Sequence, residues 1–150
     1  MSAIALDTNL LLLLVVGQAT GAAVGKRLKS FSDDDYQLLL EFVSNYDRLI
    51  ITPNVATEVS NIWDFGLGGD WRRQVPVVLA HVIQQSLEIS KPSKDVVEDP
   101  EFARLGLADC AWLGVLDQET TLLTDDVALW NVASSRGFRA VNFTSLRNFD

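Results

Sequence analysis

The sequence contains very little cysteine and histidine. Cys110 and His81 are the only residues of their types among 150. A single cysteine excludes a disulfide within the chain, and one cysteine with one histidine is too few for a zinc site of the usual Cys/His type. The fold therefore has to rest on core packing, since neither kind of cross-link can hold it together.

Long apolar runs are also missing. The run Leu10–Val16 spans only seven residues, whereas a membrane helix needs about 20. No positively charged leader or small-residue cleavage site accompanies it. We therefore predict neither a membrane segment nor a targeting segment, and the free thiol of Cys110 favours a cytoplasmic location.

Positive charge is scarce as well. The 12 Lys and Arg residues face 20 Asp and Glu residues, which gives a net charge of −8. This balance argues against a protein that binds nucleic acid simply by neutralising phosphates. The 48% hydrophobic and 21% charged residues are typical of a folded chain. With no repeat and no long linker, the length predicts a single domain over residues 1–150.

Short apolar runs alternate with helical patterns along the chain. Apolar runs without polar alternation are typical of strands covered on both faces. The alternation predicts an α/β fold in three layers, α/β/α, with a mainly parallel central sheet. The predicted strands are Ala3–Leu6, Arg48–Ile51, Leu87–Ile89, Thr121–Thr124 and Phe138–Phe143.

Helix boundaries are indicated by capping residues. We expect Gly17 to end the first helix at Val16, and Ser32 and Thr52 to cap the next two. Gly137 is expected to end the last one. The remaining predictions are a loop over Trp63–Asp70, a helix over Trp71–Gln85, a polar connector over Lys91–Pro100, a helix face of Leu105, Asp109, Trp112 and Leu116, and a helix over Val127–Arg136.

Acidic residues follow two of the predicted strands. Asp7 comes after Ala3–Leu6, and Asp125 and Asp126 come after Thr121–Thr124. The carboxyl ends of parallel strands form the ligand-binding edge of an open sheet. We therefore expect these carboxylates to lie along one edge.

Two further acids, Glu58 and Asp109, lie on predicted helices whose other face-mates are apolar. A carboxylate against a core is costly unless it is paired or binds a metal. No Lys or Arg is an equally evident partner, so the pattern suggests a divalent cation with oxygen ligands, Mg²⁺ or Mn²⁺. Each acid also has a simpler interpretation: Asp7 or Asp125 as a helix N-cap, Glu58 as a solvated edge residue, and Asp109 as a polar helix end.

Four short motifs in this order resemble the PIN-domain family. The resemblance covers essentially the whole chain. The motifs are Leu6-Asp7-Thr8-Asn9, Thr52-Pro53 leading to Glu58, Leu105-Gly106-Leu107-Ala108-Asp109, and Thr124-Asp125-Asp126.

The resemblance implies a ribonuclease that uses one or two Mg²⁺ or Mn²⁺ ions to hydrolyse single-stranded RNA, or structured RNA such as tRNA. Many small prokaryotic members are toxins of toxin–antitoxin pairs, so an antitoxin is an implied partner, and a homodimer is compatible with the family. When the functional positions of the family are matched to this sequence, the catalytic and metal-binding acids are Asp7, Glu58, Asp109 and Asp126, with Asp125 as the adjacent alternative. The matching supporting polar residues are Thr8, Asn9 and Thr124.

Aromatic and basic residues outside the acids are candidate RNA or partner contacts. Aromatic side chains next to arginines can stack on RNA or form a protein interface. Core packing with solvated arginines explains the aromatic residues and their neighbouring arginines equally well, and a solvated loop is the favoured explanation of Lys26 and Arg27. The candidates are Lys26, Arg27, Trp63, Trp71, Arg72 and Arg73.

Other functions compete with the nuclease interpretation. A non-catalytic PIN-like RNA-binding or protein-interaction module is the main alternative. A haloacid-dehalogenase-like phosphatase would need a second Asp where Asn9 stands, and a receiver domain would need its acidic pair after the first strand. A ribonuclease that uses a pair of histidines is disfavoured because His81 is alone.

Overall fold

A five-stranded, all-parallel β-sheet forms the centre of the protein. The computed structural model describes residues 2–25, 27–62 and 73–147. The strands are β1 (Ala3–Leu6), β2 (Arg48–Ile51), β3 (Leu87–Glu88), β4 (Thr120–Thr124) and β5 (Arg139–Asn142), arranged in the order β3-β2-β1-β4-β5.

The central strands β1 and β4 are buried because helices cover both of their faces. Every residue of β1 and of β4 is buried. In register, Ile4 lies between Leu49 of β2 and Thr121 of β4. The strand predictions are confirmed within a residue or two of their ends, and β3 and β5 are shorter than predicted.

Helices fill the connections between the strands. The path from β1 to β3 steps one way across the sheet, and the path through β4 to β5 steps the other way. Right-handed crossovers place helices on both faces, so the predicted three-layer α/β/α architecture is confirmed. The helices are α1 (Thr8–Ala19), α2 (Asp33–Val43), α3 (Pro53–Ile62), α4 (Gln74–Gln85), α5 (Ser93–Val96), α6 (Phe102–Leu105), α7 (Leu107–Val115), α8 (Val127–Ser135) and α9 (Phe143–Leu146).

The reversal of direction lies between β1 and β4. In open α/β sheets, a crevice forms outside the carboxyl ends of the two strands from which the chain departs in opposite directions. Asp7 follows β1 and Asp125 follows β4. The fold therefore places the first and last acidic motifs on either side of this crevice.

Most of the predicted caps are confirmed. Ser32 Oγ accepts a hydrogen bond from the backbone N–H of Asp35, and the Asp35 carboxylate accepts one from the backbone N–H of Ser32, which completes a capping box. Thr52 Oγ1 accepts from the Val55 N–H at 3.2 Å. Gly137, with φ 84°, follows the end of α8. No helix in the described ranges combines the length and hydrophobicity that a membrane crossing would need.

Gly17 does not end the first helix, so that prediction is wrong. α1 continues through it to Ala19. The ring of Tyr36 from α2 lies against Gly17, in the space that a Cβ atom would take. Glycine is present here because two helices approach closely, not because the backbone turns.

We predict that Gly17→Ala destabilises the protein by about 1–3 kcal/mol, because the buried Tyr36 ring has to move to admit a methyl group. Gly114→Ala in α7 is the matched control. Its new Cβ would meet only the flexible side chain of Lys91, so the gain in helix propensity makes it neutral or stabilising. Urea unfolding of both variants checks the difference, and equal midpoints would contradict it.

The segment after β3 is more structured than predicted. The expected connector Lys91–Pro100 contains the short helix α5. The single helix face through Leu105 and Leu116 is also wrong, since Gly106 separates α6 from α7. The φ of Gly106 is 88°, a conformation that favours glycine. This break starts a new helix at Leu107 and places Asp109 in its first turn.

Candidate acidic site

All five predicted acids line one cavity at the carboxyl edge of the sheet. The cavity has a volume of about 340 Å³ and lies over the crevice between β1 and β4. We call it the acid cavity. Its polar lining residues are Asp7, Thr8, Asn9, Glu58, Asp109, Asp125 and Asp126, and its remaining lining residues are Ile62, Leu105, Gly106, Leu107 and Ala108.

Asp7 joins the first helix to the fourth strand. Its Oδ1 accepts a hydrogen bond from the Leu10 N–H at 3.0 Å, so it is the N-cap of α1. Its Oδ2 accepts a short hydrogen bond from Thr124 Oγ1 and another, at 3.0 Å, from the Asp125 N–H. The capping interpretation is therefore right, and the same side chain also lines the cavity.

Burial makes it costly for Asp7 to carry a charge. The residue is 5% exposed. Burial, with the nearby negative charge of Asp125, raises the pKa of Asp7 to about 7, although its hydrogen bonds from Thr124 and Leu10 work in the opposite direction. Near neutral pH, the carboxyl group is therefore poised between its neutral and charged forms.

Asp125 and Asp126 both line the cavity but have different neighbours. Asn9 Nδ2 donates to both carboxylate oxygens of Asp125 at 3.5 Å. The N-cap of α8 is Asp126, so the capping interpretation of Asp125 is wrong. Asp126 Oδ1 accepts hydrogen bonds from the N–H groups of Ala128 and Leu129 at 2.8 and 3.2 Å. The charge of Asp125 acts on Asp7, and that of Asp126 acts on Asp109. The geometry thus keeps both residues in the candidate site.

Asp109 is half-buried and accepts no hydrogen bond from any described residue. Burial is the main cause that raises its pKa to about 7, followed by the negative charges of Asp126 and Glu58. Glu58 itself is exposed on α3, as its simpler interpretation predicted. It is nevertheless held in place, because Thr8 Oγ1 donates to its Oε1 at 2.9 Å.

The three predicted supporting residues each contact an acid. Thr8 holds Glu58, and Asn9 contacts Asp125. Thr124 donates to Asp7 and, through the same Oγ1, accepts the N–H of Asp126 at 3.0 Å. These residues fix the orientation of the carboxylates, which is the task expected of polar neighbours around a metal site.

Among the described residues, no cation pairs with any of the five acids. The arginines form ion pairs elsewhere: Arg104 with Glu101, Arg136 with Asp99 and Arg147 with Asp35. The repulsion between the carboxylates is therefore balanced only in part, by neutral hydrogen-bond donors, by protonation and by the attraction between the charges of Arg104 and Asp126.

The oxygen atoms available in the cavity suit a hard divalent cation. Asp109 accepts no hydrogen bond within the described parts, Asp126 Oδ2 accepts none there, and Asp7 Oδ1 accepts only one. Carboxylate oxygens are the preferred ligands of Mg²⁺ and Mn²⁺. Yet in the described ranges, no three His, Cys, Asp or Glu side chains are grouped so that they could hold a metal ion as they stand. Binding would therefore require the carboxylates to draw closer together.

Two of the basic and aromatic candidates, Arg27 and Arg73, lie within the described residues. Lys26, Trp63, Trp71 and Arg72 lie outside the described residues, as does the predicted loop Trp63–Asp70. Arg73 is exposed before α4, and Arg27 donates through Nη1 to the Ala23 carbonyl at 2.9 Å. Neither lines the acid cavity.

The remaining chemically reactive side chains also lie apart from the cavity. Cys110 is buried, and burial raises the pKa of its thiol, so it packs as a small apolar residue. His81 is exposed on α4. Trp112 is fully buried in the core. The acids are thus the chemically active groups of the described site.

Sequence reasoning missed the apolar wall of the cavity. Ile62, Leu105 and Leu107 line it together with Gly106 and Ala108. Only one feature of the sequence indicated this wall. Leu105 and Leu107 lie in the same motif as Asp109, and Ile62 ends the helix that carries Glu58. Their contribution is to reduce the exposure of the carboxylates to water.

Comparison with known proteins adds no relative. No protein-family model matches the sequence, and the curated proteins give no match. The resemblance to PIN-domain proteins therefore rests on the four sequence motifs alone.

Proposed function

We propose that the protein is a metal-dependent endoribonuclease that hydrolyses phosphodiester bonds in single-stranded RNA. The observation that carries the proposal is the convergence of five carboxylates on one cavity at the switch point of the sheet. Nothing in a stable core requires such a cluster, and its electrostatic cost is typical of a functional site.

Asp7, Glu58 and Asp109, with Asp125 and Asp126, would hold one or two Mg²⁺ or Mn²⁺ ions. A divalent cation at this place would lower the pKa of a water molecule and offset charge on the phosphate oxygens during in-line attack. Thr8, Asn9 and Thr124 keep the carboxylates oriented through their hydrogen bonds. The products would carry 5′-phosphate and 3′-hydroxyl ends.

The negative charge of the chain shapes the choice of partners in this proposal. With a net charge of −8, RNA would approach the acid cavity only when bound cations offset the carboxylates, so affinity would be weak and metal-dependent. A structured RNA such as tRNA could present a single-stranded loop there. A basic segment of an antitoxin protein would fit the same cavity. We therefore propose a toxin-type role for the protein in the cytoplasm. A homodimer is compatible with this role.

We predict that single-stranded RNA is cleaved in the presence of Mn²⁺ or Mg²⁺ and that EDTA abolishes the cleavage. The cation dependence follows because the carboxylates repel the phosphate when no cation is bound. Gel analysis of an end-labelled RNA with each cation, with EDTA, and after Mn²⁺ is restored measures it. Cleavage that persists at full rate in EDTA would contradict a metal-dependent mechanism.

One observation favours the alternative, a non-catalytic PIN-like module that binds RNA or a protein. Within the described ranges, the acids are not grouped closely enough to hold a metal without rearrangement. Titration calorimetry with Mn²⁺ separates the two functions. Heat of binding that is lost in Asp109→Asn supports the nuclease, whereas no binding to the intact protein supports the module.

A further inference from the structure

A second cavity adjoins the acid cavity. It lies between α3 and α7, has a volume of about 410 Å³, and is lined by Pro53, Asn54, Thr57, Glu58, Leu107 and Ala108. We call it the side cavity. Glu58, Leu107 and Ala108 line both cavities. The two therefore form one continuous depression with Glu58 at the boundary.

The two halves of this depression differ in charge. The acid cavity contains five carboxylates. Of the six residues that line the side cavity, Glu58 alone is charged, and it lies on the shared border. A ligand that spans both would thus place a charged, cation-binding group in one half and a neutral group in the other.

The side cavity also presents polar groups that the described fold does not use. Asn54 is half-buried and Thr57 is exposed, and neither side chain forms a hydrogen bond with another described residue. They are three residues apart on α3, so they lie on the same face of the helix. Pro53 and Leu107 add apolar surface, and Leu107 is 37% exposed although it is a large hydrophobic residue.

From this arrangement, and resting on the proposed function, we infer that the side cavity binds a nucleobase of the RNA next to the phosphate in the acid cavity. A nucleotide has the same layout as the depression, with an anionic phosphate at one end and a flat neutral base at the other. Unstacked bases are recognised by packing on side chains and by hydrogen bonds to their edges. The Asn54 amide offers a donor and an acceptor for such an edge.

The size and lining of the side cavity agree with this occupant. Small-ligand sites have volumes of roughly 300–1,000 Å³ and combine mainly apolar walls with a few polar groups that set orientation. A second phosphate would find no cation among the residues that line it. Asn54 and Thr57 are therefore specificity-determining residues in this proposal.

Binding of small nucleotides tests the inference without any cleavage. The probes are the 5′-monophosphates of adenosine, cytidine, guanosine and uridine, with ribose 5-phosphate as the probe that lacks a base, each with Mg²⁺. In ¹H–¹⁵N NMR spectra, we expect at least one nucleotide to shift the Asn54 side-chain amide and the backbone signals of residues 54–58 and 107–108. Ribose 5-phosphate should leave the Asn54 side-chain amide unshifted.

Two substitutions and a matched control sharpen the test. Asn54→Ala, or Thr57→Ala where the first variant folds poorly, should weaken binding of the preferred nucleotide by about 3- to 10-fold, the effect of one lost hydrogen bond. Neither should change binding of ribose 5-phosphate. Asn131→Ala on α8 removes an exposed amide that lines neither cavity, so its nucleotide affinity should equal that of the unmodified protein.

The outcomes separate this inference from the proposed nuclease activity. Equal shifts with nucleotides and ribose 5-phosphate, or unchanged affinity in both variants, would overturn the base site even if RNA is cleaved. Base-dependent binding that both variants weaken would support the base site even if no RNA is cleaved, in which case the nuclease proposal fails alone.

Discussion

The Asp109→Asn variant is expected to cleave RNA about 100-fold more slowly, or slower still, and to be more stable than the unmodified protein. Cleavage falls because a candidate metal ligand loses its charge. Stability rises because a half-buried carboxyl with a pKa of about 7, close to the charges of Asp126 and Glu58, becomes neutral. We expect a gain of about 1–3 kcal/mol at pH 7.5. Cleavage assays and urea unfolding of the same preparation measure both effects.

Asp109 is a cleaner position for this test than Asp7. Asp7 accepts hydrogen bonds from the backbone N–H groups of Leu10 and Asp125. In Asp7→Asn, the amide NH₂ would face one of these donors, so structural damage would accompany the loss of charge. Asp109 has no such bonds within the described structure, and an isosteric amide fits without disturbing a cap.

Asp34→Asn is the matched control, because Asp34 is exposed on α2 and lines a different cavity. It removes the same charge and should change cleavage by less than about two-fold, as expected for a surface substitution. An Asp109→Asn protein that cleaves RNA as fast as Asp34→Asn would refute the assigned role of Asp109. Unchanged stability would instead refute the electrostatic cost derived for this carboxyl.

The second large effect is a fall in the stability of the metal-free protein as the pH rises from 5 to 7. The pKa values of Asp7 and Asp109 are about 7 in the folded protein, against an ordinary value of 3.8. The folded state therefore binds more protons than the unfolded state in this window, and stability decreases with rising pH. After allowance for screening by solvent, each carboxyl contributes about 1–2 kcal/mol between pH 5 and 7.

Thermal unfolding in EDTA should show this as a decrease of the midpoint by about 2–8 °C for each carboxyl. Saturating Mg²⁺ or Mn²⁺ should remove most of the decrease, because the cation binds the charged carboxylates of the folded state. The Asp109→Asn variant should lack the part of this decrease in midpoint that the ionisation of Asp109 causes. A midpoint that rises between pH 5 and 7 in EDTA would contradict the raised pKa values.

The range from pH 5 to 7 separates Asp7 and Asp109 from carboxyl groups whose pKa is lowered. Asp99 is held by Arg136, whose hydrogen bonds lower the pKa of Asp99 to about 2. Its contribution to stability is lost only as the pH falls below the ordinary range of carboxyl groups. Measurements above pH 5 therefore leave this ion pair intact.

The elements that the sequence predicted well are those specified by local chemistry. The apolar runs of β1 and β4 predict buried strands, and Ser32 and Thr52 mark the starts of α2 and α3. The placement of Asp7 and Asp125 at one edge follows from parallel strands alone. That Glu58 and Asp109 reach the same cavity depended on the family resemblance, because helix faces do not specify how helices pack against one another.

The features that the sequence did not predict depend on contacts between distant residues. Gly17 directly follows an apolar run, as a glycine that ends a helix would, yet its role is to make room for the Tyr36 ring. The helical spacing of side chains continues across Gly106 in the sequence, but the backbone helix is interrupted there. Asn54 and Thr57 had no distinguishing pattern, and only the approach of α3 to α7 places them in a cavity.

The order of the strands also sets when the acidic site can form during synthesis of the chain. β1 pairs with β4, and Asp7 bonds to Thr124, which lies 117 residues later in the chain. A chain emerging from the ribosome therefore keeps one edge of β1 unpaired until β4 has been made. Contacts of such long separation form late and slow folding. The acidic site is thus completed only after β4 and the residues that follow it have been synthesised, and shorter nascent chains lack it.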